Sequence, residues 1–387
     1  MKSRSKHRRL GGVVAVAAVT AACAASPRVA GPPAGHARPA SVVACTTLPI
    51  ARRSAAGASG QLARPDLLPG GAVAVAAESP SSAWAVGSAR PDEAVVAHWN
   101  GAAWTTLSLA GLPRLSALGA VAACPGGAWA VGEYGLTQHG DGGGIAKPLI
   151  VRLTGSTMRR VLVPGLADAD LVDVAATSAS NAWAVGTGQL LLRWNGTAWT
   201  SSPLPSMGGS EFTAVAASSA TNAWAVTYPG RRGHPPPILH WNGRRWAEIV
   251  GPDIGMSYAL SDVATTSAND VFAVGSAPEF SYRALLLHWD GRSWTCALAM
   301  QIHLHTKFPE GVSLATVSAS SADNAWAVGS YFDSADRALA LHWNGHSWKQ
   351  VITPRVGSLR DVVFIPQSGP VWAIGGLLLR WNGTAWR

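Results

Sequence analysis

From about residue 70 to its end, the chain alternates short apolar runs with clusters of Gly, Asn, Ser and Pro, which reads as strands joined by turns. Four kinds of run follow one another in a fixed order. The first is small and β-branched, as in Ala-Val-Ala-Ala, and carries a Val at a recurring place: Val75, Val121, Val174, Val215, Val263, Val317 and Val363. A polar turn such as Ser178-Ala179-Ser180-Asn181 leads into the second run, Ala-Trp-Ala-Val-Gly. The third is aliphatic, as in Leu190-Leu191-Leu192-Arg193-Trp194. Asn-Gly or Asp-Gly then supplies the positive φ that a tight hairpin needs, and a short fourth run holds a last Trp.

Aligned on this pattern, the chain shows seven units and three aromatic columns. The first column is Trp84, Trp129, Trp183, Trp224, Phe272, Trp326 and Trp372. The second is Trp99, Leu153, Trp194, Trp241, Trp289, Trp343 and Trp381, and the third, always five residues later, is Trp104, Met158, Trp199, Trp246, Trp294, Trp348 and Trp386. The columns have 21 places, three of them filled by Phe272, Leu153 and Met158, and the remaining 18 account for every Trp in the protein. First-column spacings of 41 to 54 residues suit a four-stranded propeller blade. One such sheet cannot bury both faces alone, so neighbours must stack. The expectation is an all-β, seven-bladed β-propeller over residues 70–387, with four antiparallel strands per blade and Trp wedged between blades. Its repeats fall at about 70–110, 111–164, 165–205, 206–252, 253–305, 306–354 and 355–387.

On these columns the sequence resembles the Trp-rich tandem-repeat propellers of secreted bacterial proteins, which are Kelch-like or galactose-oxidase-like. The Trp-Asn-Gly-x-x-Trp turn is also similar, more distantly, to sialidase Asp-boxes and tectonin repeats, without the full Ser-x-Asp-x-Gly-x-x-Trp box or a paired-Gly Kelch signature. The resemblance implies architecture and no single activity, since propellers host lectins, scaffolds and enzymes alike.

The formal charge of +9 would point to nucleic acid if it were spread over the body of the protein. Residues 1–64 hold ten Lys/Arg and no acid, whereas the rest holds twenty against all twenty-one Asp/Glu, a net of −1. No basic stripe supports nucleic-acid binding. Lys2, Arg4, Lys6, Arg8 and Arg9 precede an apolar run from Leu10 to Ala25, the layout of an export signal over residues 1–25. Cleavage fits after Ala22-Cys23-Ala24, or before Cys23, which would then carry lipid as the protein's only membrane contact. Residues 26–69 are rich in Ala, Pro, Gly, Ser and Arg and read as a flexible linker, within which Ser41–Ile50 is the one extended-looking piece and a candidate to pair with the short last unit. Export leaves Cys45, Cys124 and Cys296 in an oxidising compartment, with at most one pair among them that spacing cannot name. The expected location is extracytoplasmic, either secreted or on the outer face of the cell membrane.

Spacing also distinguishes two kinds of connection. From the Val column to the first aromatic the distance is nine residues in six units and eight in the other, and from the second column to the third it is always five. The other two connections vary, from 9 to 24 and from 15 to 23 residues. Strands of a meander alternate in direction, so the constant turns share one face of the disc and the variable loops the other, where function is grafted. All five Tyr sit in variable segments, and Tyr134, Tyr228, Tyr258, Tyr282 and Tyr331, with Phe280, are the candidate binding residues.

Candidate chemistry is thin. The residue before the second column is always His or Arg (His98, Arg152, Arg193, His240, His288, His342, Arg380), and its place in every unit favours stacking on Trp over metal binding. Equivalent positions lie about 10 Å apart or more, while Zn ligands converge to about 2 Å. His303 and His305 lack a third partner, and Asp168, Asp170 and Asp173 read as turn and cap residues before a glycosidase pair. No catalytic residue, metal or cofactor is assigned. The expected function is a non-enzymatic propeller that binds a protein or glycan at the cell envelope. An extracellular carbohydrate-active hydrolase or lyase and a structural surface module are the alternatives.

Overall fold

A computed structural model describes residues 18–20, 43–50, 68 and 70–387, apart from 91–92, 139–143, 164, 167, 231–234, 278–282, 302–310, 333–334, 367–368 and 370. Every regular element among the described residues is a strand. The fourth unit shows the plan: Glu211–Ser219, Asn222–Tyr228, Ile238–Trp241 and Trp246–Ile249 form an antiparallel meander from the axis outwards. Its register pairs Val215 with Ala225, Trp224 with His240 and Trp241 with Trp246.

Both constant turns are fixed by side chains. In the Trp-Asn-Gly-x-x-Trp turn, Asn242 Oδ1 accepts the N–H groups of Arg244 and Arg245 at 3.0 and 3.1 Å, and Gly243 takes φ of 90°. Asn100, Asn195, Asp290, Asn344 and Asn382 repeat the arrangement. The other constant turn is held by the second-column indole: Trp99, Trp194, Trp241 and Trp343 donate Nε1–H to the carbonyls of Pro80, Ala179, Ala220 and Ala322. An inserted residue would break that bond, which explains the fixed spacing.

Inner strands Ala72–Ser79, Ser116–Cys124, Leu171–Ser178, Glu211–Ser219, Ala259–Ser267, Val312–Ser321 and Asp361–Phe364 each pack on the next, and the last packs on the first. Between consecutive units lies an apolar cluster built on one theme. The first-column ring of one unit meets the second and third columns of the following unit. Trp129 lies 4.9 and 5.1 Å from Trp194 and Trp199, and Trp183 lies 5.0 and 5.1 Å from Trp241 and Trp246. Trp372 closes the ring, 5.8 Å from both Trp99 and Trp104. Each such pair contributes roughly 0.5–1.5 kcal/mol beyond its buried area. Where Leu153 and Met158 replace the two aromatics, Trp84 packs in the same cluster as both.

The seven-bladed, four-stranded expectation is corrected. The described residues form six hydrogen-bonded sheets, and counted as sheets of at least four strands the molecule has five blades, not seven. A parallel bridge between Glu93 and Ser116 joins the first two units into one eight-stranded sheet. The last unit has only Asp361–Phe364, Val371–Ile374 and Leu378–Trp381, because Trp386 returns to Trp381 as a single bridge. Two sheets instead gain a strand from the N-terminal region. Thr46–Ile50 pairs in parallel with Trp294–Gln301, so the extended piece of the linker sits on the fifth unit rather than on the short last one. Cys45 is disulfide-bonded to Cys296, and Cys124 is a buried free thiol. In the full chain, Ala18–Thr20 lies parallel beside Leu171–Ser178 at the axis. The Val column also shifts in the last unit, where Val362 pairs with Ala373 as Val174 pairs with Ala184; Val363 is one residue out.

Candidate functional site: the variable-loop face

The His/Arg column stacks on the first aromatic column throughout. His240, His288 and His342 lie 4.4, 4.3 and 4.6 Å from Trp224, Phe272 and Trp326, and His98 lies 5.0 Å from Trp84. The guanidinium groups of Arg152, Arg193 and Arg380 lie 5.1, 4.9 and 4.8 Å over Trp129, Trp183 and Trp372. Burial drives His240 down to about 4, so at neutral pH it is an uncharged plate whose Nε2 lies 2.8 Å from Asn222 Oδ1. These residues belong to the scaffold of the constant-turn side.

The acidic residues are divided in the same way. Asp168 is exposed, Asp170 is half-buried and Asp173 is fully buried, so the three do not converge. Asp173 instead joins two units: Oδ1 accepts Val174 N–H at 2.8 Å and Oδ2 accepts Val215 N–H of the next inner strand at 2.7 Å. Asp262 does the same with Val263 and Val317, and Asp361 with Val362 and Val75. Burial pushes Asp262 up to about 8 against the pull of its two N–H donors. Asp173 is raised chiefly by burial, then by the neighbouring charges of Asp262 and Asp361. Carboxylates with both oxygens committed to backbone donors are cross-links between strands.

The variable-loop face is different. Six large apolar side chains are exposed among the described residues: Leu115, Leu162, Tyr228, Val250, Phe332 and Ile352. All six stand at strand ends on this face: Leu115 before an inner strand, Tyr228 and Phe332 at the ends of second strands, and Leu162, Val250 and Ile352 just after fourth strands. Leu115 and Gln189, the non-Gly residues with positive φ among those described, also lie on it. Leu115 at φ of 58° holds a conformation that costs a branched side chain about 1–2 kcal/mol, and it does so at the surface.

A cavity of about 520 Å³ opens on the same face above the fourth unit, lined by Met207, Pro229, Pro235, Pro236, Glu248 and Val250 among others. Its floor is shaped by Gly230, which donates N–H to Ser210 Oγ at 2.9 Å and passes so close to Gly209 that a Cβ has no room. Prolines hold the wall open without offering N–H donors.

The structure separates the residues expected to bind. Tyr228 is 61% exposed and precedes Pro229 of the cavity wall. Tyr134 is half-buried beneath Arg160, whose guanidinium lies 4.3 Å over its ring. Tyr258 is buried and donates its hydroxyl to the Pro252 carbonyl at 3.1 Å; burial, then Asp253, raises its pKa. Tyr331 is buried in the cluster between the fifth and sixth units. Tyr282, Phe280, Cys23, His303 and His305 lie outside the described residues. Sequence reasoning passed over Leu162, Val250 and Ile352, although each falls four residues after the third column and so repeats in the second, fourth and sixth units.

No protein-family model and no curated protein matches the chain. Solved structures do. YCF48 bound to D1 peptide is 15% identical, with a TM-score of 0.54 over 81% of this chain and 94% of that one. The RRP9 WD40 repeats are 12% identical, with a TM-score of 0.56 over 78% and 86%. The GH74 xyloglucanase from Xanthomonas campestris is 15% identical, with a TM-score of 0.57 over 82% of this chain and 53% of the enzyme. The fold is a tryptophan-rich β-propeller. At these identities the likeness concerns architecture alone and does not confirm a Kelch or galactose-oxidase affinity.

Proposed function

We propose that this propeller is an exported, non-enzymatic binding module that takes an apolar segment of a partner protein on its variable-loop face. One observation carries the reading: all six exposed large apolar side chains of the described residues stand on that face. Scattered exposed apolar residues are ordinary, but concentration on one side of a disc marks an interaction surface. The cavity above the fourth unit gives the face a concave pocket, with Tyr228 and Val250 at its edge. Another propeller of this architecture is known with a peptide bound. Export is the reading of the basic, then apolar leader.

The test compares the full chain with a Tyr228→Ser/Val250→Ser/Ile352→Ser variant, measuring binding to a fractionated envelope protein extract and to a glycan array. Retained folding with at least a tenfold weaker association with a saturable protein partner is the expected result. Unchanged protein binding, or binding to glycans alone, overturns it.

A further inference from the structure

We infer that the Cys45–Cys296 disulfide is a reducible latch: oxidised, it holds Thr46–Ile50 against the outer edge of the fifth unit, and reduced, it releases that strand without unfolding the propeller. The strand pairs with Trp294–Gln301 over five positions, from Thr46 opposite Ala297 to Ile50 opposite Gln301. Its other ties are few. Thr46 Oγ1 donates to the Cys296 carbonyl at 3.2 Å, and Val43 N–H donates to the Asp253 carbonyl at 2.7 Å. Only Ile50 is fully buried; Cys45 and Leu48 are half-buried, and Ala44, Thr46, Thr47 and Pro49 are exposed. Val43 and Cys45 pack at the edge of the cluster between the fourth and fifth units and Leu48 on that between the fifth and sixth, each only half-buried. Ordering a surface strand of this kind costs more backbone entropy than one buried and three half-buried side chains return, so the covalent bond decides whether it stays.

The rest of the ring closes without it. Trp372 packs on Trp99 and Trp104, and Asp361 accepts Val75 N–H, joining the last unit to the first. Release would uncover an edge unlike the others. Trp294–Gln301 spans eight residues, against three to five for the other fourth strands. Leu298, four residues after the third column, is 8% exposed opposite Thr47, whereas its counterparts Leu162, Val250 and Ile352 are 68, 55 and 68% exposed. The reductant class is a dithiol. Its thiolate attacks the half-buried Cys45 sulfur and Cys296 leaves as a thiolate that takes up a proton. The second thiol then attacks the mixed disulfide, frees Cys45 as a thiol and closes the reductant's own disulfide. Two electrons and two protons pass to the protein.

The test is hydrogen exchange on the full chain carrying Cys124→Ser, with and without dithiothreitol, with thiols counted by alkylation. The expected result is release of two thiols, at least a tenfold faster exchange in 46–50 and along 294–301, and unchanged exchange around Trp372, Trp99 and Trp104. A Cys45→Ser variant should show the released pattern without reductant. A disulfide that resists dithiothreitol, protection that persists after both thiols are free, or loss of protection throughout the ring each overturns the inference, as does a Cys45→Ser chain that does not fold.

Discussion

The two faces of the disc are built from the same strands and differ in almost every other respect. On the constant-turn face, Asn and Asp side chains close the hairpins, indole N–H groups pin the inner turns, and His or Arg plates cover the first-column rings. None of the exposed large apolar residues among those described lies there. On the variable-loop face all of them do, together with the positive-φ Leu115 and the proline-walled cavity. One side is committed to holding strands in register, and the other is left free to differ from unit to unit.

That contrast predicts stability effects that shrink from the ring interior to the loop face, while effects on binding grow. Trp372→Ala opens the closing aromatic triangle and should cost about 3–5 kcal/mol by urea denaturation. Asp262→Ala orphans two buried N–H groups and should cost about 2–4 kcal/mol. Asp262 also carries a pH signature. Its folded pKa of about 8 lies above its ordinary value, so the folded state keeps a proton that the unfolded chain has lost. Its contribution is full below pH of about 4 and is lost as pH rises towards 8. Stability should therefore fall between pH 5 and pH 8 by more in the native protein than in Asp262→Asn, as read from paired melts at roughly those two values. Asn242→Ala, on the constant-turn face, should cost about 1 kcal/mol and leave partner binding unchanged. Val250→Ser should change stability by less than about 0.5 kcal/mol yet weaken partner binding. A large stability loss from Val250→Ser, or a binding loss from Asn242→Ala, would erase the distinction between the faces.

Much of the scaffold was legible in the sequence because its physics repeats. A Trp column is visible because each unit must present the same ring to the next, and the Asn-Gly column because each hairpin needs the same positive φ. What does not repeat was not legible. The bridge from Glu93 to Ser116 that merges two units depends on where one loop brings two backbones together. The extra residue in the last inner hairpin, which puts Val362 where Val363 was expected, hides in a run of similar residues. The partner of Cys45 lies 251 residues away and no spacing encodes it. At the candidate site, sequence position put every Tyr in a variable segment, but only burial shows that Tyr258 and Tyr331 face inwards and Tyr228 outwards.

The bond between Cys45 and Cys296 also sets how the molecule bears load. Tension applied from the N-terminal side of Val43 passes through that covalent link into the fifth unit, before it can reach the first inner strand at Ala72. The aromatic seam where Trp372 meets Trp99 and Trp104 is thereby spared from peeling under such a pull. A pull on the chain just before Val43 therefore grips the disc by its rim at the fifth unit.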